Sequence, residues 1–184
     1  MRSPSRASSA AHSAYATGAA ALVLALGSIL GALGIEHIGG YAPCPLCLTQ
    51  RHAYYVGVPL LFLALVLVAA EQGRLAGLLF LAVAFGFLAN AGLATYHTGV
   101  EWKLWAGPDT CAGGAAGALT QSAGDLLKSL SATRVVRCDA PALLILGLSM
   151  AAWNVLVSLA LFVLGLRAAF LSADHTQEFR ERFQ

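Results

Sequence analysis

The residues with the greatest chemical reach in this chain of 184 residues are four cysteines in two pairs. Cys44 and Cys47 form a Cys-Pro-Leu-Cys motif at the head of a long apolar run, and Cys111 and Cys138 lie in the one long polar loop. A Cys-x-x-Cys motif serves redox chemistry, zinc binding or haem attachment. Haem attachment needs a histidine directly after the second cysteine, and Leu48 stands there. A closed zinc site needs four ligands. The set on offer is Cys44, Cys47, His52 and His97, and the oxidising side of a membrane disfavours such a thiolate cage, so no metal is expected. Dithiol redox chemistry is the reading with the most support. If Pro45 opens a helix, Cys44 is its N-cap and Cys47 falls in its first turn. Unpaired N–H groups and the helix dipole there stabilise a thiolate, chiefly at Cys47.

Arg51 follows Cys47 by four residues and shares its helix face. An arginine at the edge of an apolar span is costly unless it snorkels or pairs. Two roles are open: an interfacial anchor, or a cation that stabilises the Cys47 thiolate or the oxygen of a reduced lipid-soluble acceptor. His97, near the end of another apolar run, is either a satisfied interfacial histidine or a proton donor to that acceptor. His37 and His52 are weaker candidates. Cys111 and Cys138 are either a static disulfide or the outer station of a two-hop thiol–disulfide exchange.

The elements that must position these residues are membrane helices. The chain is 58% hydrophobic and 11% charged, where a soluble domain carries about a quarter charged residues. No Asp, Glu, Lys or Arg occurs in 7–35, 52–70, 75–100 or 140–166. Crossing a bilayer takes about 20 residues of helix, and the alternative of a soluble bundle with a greasy core fits four such runs poorly. An all-α bundle of four transmembrane helices in one integral membrane domain, 1–184, is therefore expected. Its spans are placed near 15–35, 46–70, 75–97 and 141–167, with connecting loops at 36–45 and 98–140. Arg2 and Arg6 precede the first run, and Ala32, Leu33 and Gly34 make a small-x-small triplet. The run from Tyr15 to Ile35 is nevertheless longer than a signal-peptide core, and it is read as a retained anchor.

Four spans place both termini on one side of the membrane and both cysteine-bearing segments on the other. Of the eleven Lys and Arg, six fall in the shorter segments on the side of the termini, which favours cytoplasmic termini. Cysteine usage agrees, because disulfides persist on the non-cytoplasmic side. Within 98–140, positions Leu119, Leu126, Leu127 and Leu130 share a helical stripe. Residues 118–131 are thus read as a short amphipathic helix that lies on the membrane or packs on the spans. Trp102 and Trp105 sit where indoles prefer the headgroup region. The polar tail 168–184 is expected to fray. The Lys and Arg residues are scattered and form no basic cluster of the kind nucleic acid needs, so no nucleic-acid partner is expected.

Cys44, Pro45, Leu46, Cys47 followed by Leu48, Thr49, Gln50 and Arg51, with a later loop pair and four spans, closely resembles the disulfide bond formation protein B family over residues 15–168. The segment Leu148 to Trp153 resembles that family's last span. Gln50 departs from the acidic residue of the best-known member, and Tyr96 through Pro108 resembles a subgroup variant of unassigned purpose. The resemblance implies a bacterial inner-membrane quinone reductase, with ubiquinone or menaquinone as cofactor, that reoxidises a periplasmic thioredoxin-fold (DsbA-like) dithiol oxidase. It implies that the partner's cysteine attacks Cys111, that Cys138 resolves, and that Cys47 contacts the quinone with Cys44 as its mate. Arg51 then orients the quinone, and His97 matches a quinone-proximal histidine. Two other readings make different predictions. Vitamin K epoxide reductase-like enzymes carry the quinone-facing pair late in the chain, the reverse of the order here. A non-catalytic scaffold with two structural disulfides leaves Arg51 without a purpose.

Overall fold

The computed structural model describes residues 4–108, 111 and 137–182. Among these, four long helices run in the order α1 Pro4–His37, α2 Pro45–Ala69, α3 Gly73–Glu101 and α4 Met150–Arg182. A small antiparallel hairpin, β1 Leu144–Ile145 with β2 Leu148–Ser149, precedes α4. His12–His37, Pro45–Ala69, Gly73–Glu101 and Met150–Ala173 are each long and apolar enough to cross a membrane. The shortest has 24 residues, or about 36 Å of helix against a hydrocarbon core of about 30 Å. The protein is an all-α four-helix membrane bundle. Large apolar side chains such as Val23, Phe62, Leu78 and Phe85 point outward, as a lipid environment requires.

Local chemistry sets the helix ends that matter. Pro45 opens α2, where its missing N–H costs nothing, and Cys44 caps it by accepting the Cys47 N–H at 3.2 Å. α2 closes where the Gln72 N–H reaches the Leu67 carbonyl at 2.8 Å, with Glu71 left-handed at φ 59°. α3 closes in the same way: the Leu104 N–H reaches the Gly99 carbonyl at 2.9 Å, and Lys103 is left-handed at φ 59°. This six-to-one closure reverses the chain sharply, so the segment after α3 folds back along its last turn.

Lipid tails give helices no hydrophobic drive toward one another, so small residues and close packing hold the bundle. Phe80 and Phe87 of α3 are fully buried, and each ring seats on a glycine of a neighbour. A Cβ at Gly18 would stand 2.6 Å from the Phe80 ring, and one at Gly57 would stand 2.8 Å from Phe87. Ala21, Ala25, Ala64, Ala76 and Ala168 complete the seams.

Several boundaries differ from those read in the sequence. α1 begins at Pro4 rather than near residue 15, and α3 runs one turn past His97, to Glu101. α4 begins at Met150 rather than at 141. Leu146 and Gly147 both have positive φ, 53° and 81°, the two-residue turn that a tight hairpin demands. Ser149 then caps α4 by accepting the Ala152 N–H at 3.1 Å, and the Trp153 indole pins the hairpin through the Ile145 carbonyl at 2.9 Å. The helix also continues to Arg182, through the tail expected to fray. The amphipathic helix read at 118–131 lies outside the described residues.

Candidate functional site

The start of α2 and the end of α3 meet at one end of the bundle, and the cysteine chemistry gathers there. Cys44 and Cys47 carry free thiols, their sulfurs 2.7 Å apart. Cys44 is buried and Cys47 half-buried. The hydrogen bond to Cys47 and then burial push the Cys44 thiol well above the ordinary cysteine range, which favours its protonated form. His97, also buried, places Nε2 at 3.6 Å from the Cys44 sulfur. Cys111 and Cys138 are joined in a disulfide with Cα atoms 5.2 Å apart. They pack with Cys44, Leu46 and Val100 in one buried cluster, with Cys47 at its border. The loop pair and the helix-end pair are thus neighbours in space.

His97 is held from behind by a polar chain inside the apolar bundle. The Gln50 amide meets its Nδ1 at 3.0 Å, and the Asn154 amide donates to Gln50 Oε1 at 2.5 Å. The Tyr54 hydroxyl donates to Asn154 Oδ1 at 2.5 Å. Asn90 donates to Ser158 at 3.0 Å, and Ser158 approaches Asn154 at 3.4 Å. An amide nitrogen can only donate, so Gln50 fixes Nδ1 as the acceptor and leaves the ring hydrogen on Nε2, toward Cys44. Polar side chains inside a membrane span are costly and mark function; these are connected to one another and end, through His97, on Cys44.

Arg51 does not stand alone. It pairs with Glu36 at the end of α1, and its Nη2 lies 3.4 Å from the Ala32 carbonyl. The pair is half-buried, with side chains 12% and 24% exposed.

Beside these groups opens a cavity of about 520 Å³, walled by α1, α2, the end of α3, the hairpin and α4. Gly27, Gly31 and Ile35 line it from α1, and Ile145, Leu146 and Met150 from the hairpin and α4. Its polar end carries Cys44, Cys47, Gln50, Arg51, His97 and Glu101. An apolar chamber of this size with a few convergent polar groups is the usual form of a small-molecule site. Of the residues singled out in the sequence, Cys44, Cys47, Arg51 and His97 come together on its wall. Cys111 and Cys138 sit behind Cys44, and His37 and His52 are absent from it. The ligand atoms of Cys44, Cys47 and His97 lie within 4.8 Å of one another. The fourth ligand of the imagined zinc set is missing, because His52 is exposed and turned to the Thr49 carbonyl at 3.2 Å. Glu36, Glu101, Tyr54, Asn90 and Asn154 were missed in the sequence. The signal was present for the last two, as isolated amides inside charge-free spans.

The segment after α3 is strapped back onto it. The Trp105 indole donates to the Tyr96 carbonyl at 2.9 Å, and the two rings stack with centroids 6.0 Å apart. The Tyr96 hydroxyl donates to the Ala106 carbonyl at 3.1 Å. Only glycine fits at position 99, where a Cβ would lie 2.0 Å from the Trp105 ring. The strap leads directly to Cys111, and Gly107 packs on Val100 in the cysteine cluster. Gly99→Ala is therefore expected to force the indole off its seat at a cost of about 1–3 kcal/mol. Thermal unfolding in detergent reads that cost. A small dithiol should also reduce the Cys111–Cys138 disulfide several-fold faster in the variant, because its cover is loosened.

Comparison with known proteins points the same way. A family model described as disulfide bond formation protein DsbB matches residues 15–168. The uncharacterized protein RP370 of Rickettsia prowazekii (strain Madrid E) is 27% identical over 128 residues, which is 70% of this chain and 72% of that protein. No solved structure matches.

Proposed function

Because this chain belongs to the disulfide bond formation protein DsbB family, and is thus a multi-pass membrane oxidoreductase of disulfide formation, we propose that it is a thiol:quinone oxidoreductase. In this reading it oxidises a DsbA-like thioredoxin-fold partner and passes the electrons to ubiquinone or menaquinone. The observation that carries the reading is the convergence of the Cys44–Cys47 pair, Arg51 and His97 on one end of an apolar cavity, with the Cys111–Cys138 disulfide packed behind Cys44. The cavity suits a quinone: its walls are apolar for the ring and tail, Arg51 offers N–H groups to a carbonyl oxygen, and His97 lies on the same wall. A bound quinone supplies a sink for two electrons and two protons. The chain supplies placement and charge.

The steps we assign to this chain's own residues carry the family's pattern onto these positions. Cys111 takes the attack of the partner's cysteine in a mixed disulfide. Cys138 resolves it, or Cys44, already in the same cluster, intercepts. The electrons then reside on the Cys44–Cys47 pair. Cys47, on the cavity wall with its backbone N–H turned to Cys44, faces the acceptor, and Cys44 keeps its proton until the disulfide re-forms. A strongly oxidising partner poised near about −120 mV runs this cycle only toward an acceptor at least as oxidising. The site is assigned to the periplasmic face of a bacterial inner membrane, with both termini cytoplasmic.

Purified protein in detergent, given a reduced thioredoxin-fold dithiol and a soluble ubiquinone, is expected to bleach the quinone absorbance while the dithiol is oxidised in equal amount. Unchanged quinone absorbance with all four cysteines intact would overturn the reading.

A further inference from the structure

Glu101 lies at the polar end of the cavity, and no step so far uses it. Its side chain is 6% exposed, and Oε1 stands 4.0 Å from His97 Nε2. Ser149, at the end of the hairpin, meets the same carboxyl group. Oε2 is buried without a hydrogen-bond partner, the one such side-chain atom among the described residues. A carboxylate kept charged for structure alone would have both oxygens satisfied, since an orphaned buried acceptor is costly. A carboxyl group that must take up and give back a proton has reason to keep one oxygen open.

The redox reading creates a need for such a group. Closing the Cys44–Cys47 disulfide from the Cys47 thiolate forms one S–S bond, breaks the Cys44 S–H bond and sends two electrons to the quinone. The two protons for the quinone are drawn from solvent, where Cys47 left its own, and from the group that takes the Cys44 proton. The protons must leave the sulfurs separately. Cys44 is the thiol that still holds its proton, and His97 Nε2 lies between its sulfur, at 3.6 Å, and the Glu101 carboxyl, at 4.0 Å. His97 Nε2–H, its tautomer fixed by Gln50, faces both the Cys44 sulfur and the Glu101 carboxyl. One N–H serves one anion at a time. Nε2 therefore gives its hydrogen to the charged Glu101 carboxylate and takes the Cys44 proton in its place.

We infer that Glu101 takes up the proton released when the Cys44–Cys47 disulfide closes, by way of His97, whose Nε2 hands its hydrogen to the carboxylate as it takes the one from Cys44. The inference rests on the redox assignment of that pair. His97 is then the proton relay of this transfer.

The test uses infrared difference spectra of the full protein in quinone-free detergent, reduced with dithiothreitol and oxidised with ferricyanide. The oxidised state of the wild type is expected to gain the C=O stretch of a protonated carboxyl, moved by ¹³C-glutamate labelling and absent in Glu101→Gln. Turnover with quinone should fall about a hundredfold in Glu101→Gln, the usual size of a lost proton acceptor, and recover partly in Glu101→Asp. A wild-type spectrum without that band, a band that survives in a folded Glu101→Gln, or undiminished turnover would overturn the inference. The wild-type arm stands even if the Gln variant fails to fold. Because the spectra need no quinone, failure of the quinone reading itself would appear separately, as absent turnover in the wild type.

Discussion

With Cys47 replaced by alanine, quinone-linked turnover is expected to fall to the uncatalysed background, while the loop disulfide still oxidises a single equivalent of partner. The two pairs do different jobs in the proposed cycle. Cys111–Cys138 is already a disulfide and can accept two electrons once without help. Returning to that state needs the Cys44–Cys47 pair, and Cys44 alone cannot close a bond. Quenched-flow assays of partner oxidation should therefore show a burst of one equivalent and no steady state. The opposite variant, Cys111→Ala, should lose the burst yet keep a Cys44–Cys47 pair that small dithiols reduce and quinone reoxidises. A scaffold with two structural disulfides predicts otherwise: each variant would lower the unfolding temperature alike, and neither would separate burst from steady state.

The second large effect is expected at Arg51. Loss of its guanidinium in Arg51→Ala should lower kcat/KM for quinone about tenfold to a hundredfold, the worth of one charge-assisted hydrogen bond of about 1.5–3 kcal/mol. The partner-to-Cys111 burst should stay near the wild-type rate. Arg51→Lys should recover only part, because a point charge does not reproduce the planar fork that reaches Glu36 and a second acceptor together. The ion pair with Glu36 adds a control. Removing Arg51 leaves a half-buried carboxylate unpaired, which by itself destabilises the protein. In the double variant Glu36→Gln, Arg51→Ala that penalty is gone. A quinone defect that persists there belongs to the lost cation, and one that vanishes belongs to the broken pair. If lysine restored full quinone kinetics, Arg51 would be an interfacial anchor and nothing more.

How much of this was legible beforehand follows from the range of each interaction. Span number and rough position follow from runs without charge, which is a property of consecutive residues. The capping of α2 by Cys44 was equally local: Pro45 at the first position fixes where the helix begins, and the three-residue spacing then puts Cys47 within reach of Cys44. The resemblance carried by Cys44 through Arg51 and the loop cysteines was specific enough to name the family. The start of α4 was misplaced by nine residues because Pro141 looked like a helix opener, while Leu146, Gly147 and Ser149 spelled a hairpin and a cap.

The sequence alone determined that four apolar helices carry two cysteine pairs, one at a helix start and one in the loop beyond α3. Only the tertiary structure decided that the pairs share one cluster, that Glu36 neutralises Arg51, and that Gln50, His97 and Asn154 join across three helices. It also brought Glu101 beside His97 with one oxygen open. The physical reason lies in the solvent. A helix in water shows its buried face as an apolar stripe, whereas a helix in lipid is apolar on the buried and exposed sides alike. Helix rotation is then fixed by small-residue seams and a few polar contacts between residues distant in sequence, such as Gln50 with Asn154. No local pattern in the chain records which of those residues will meet.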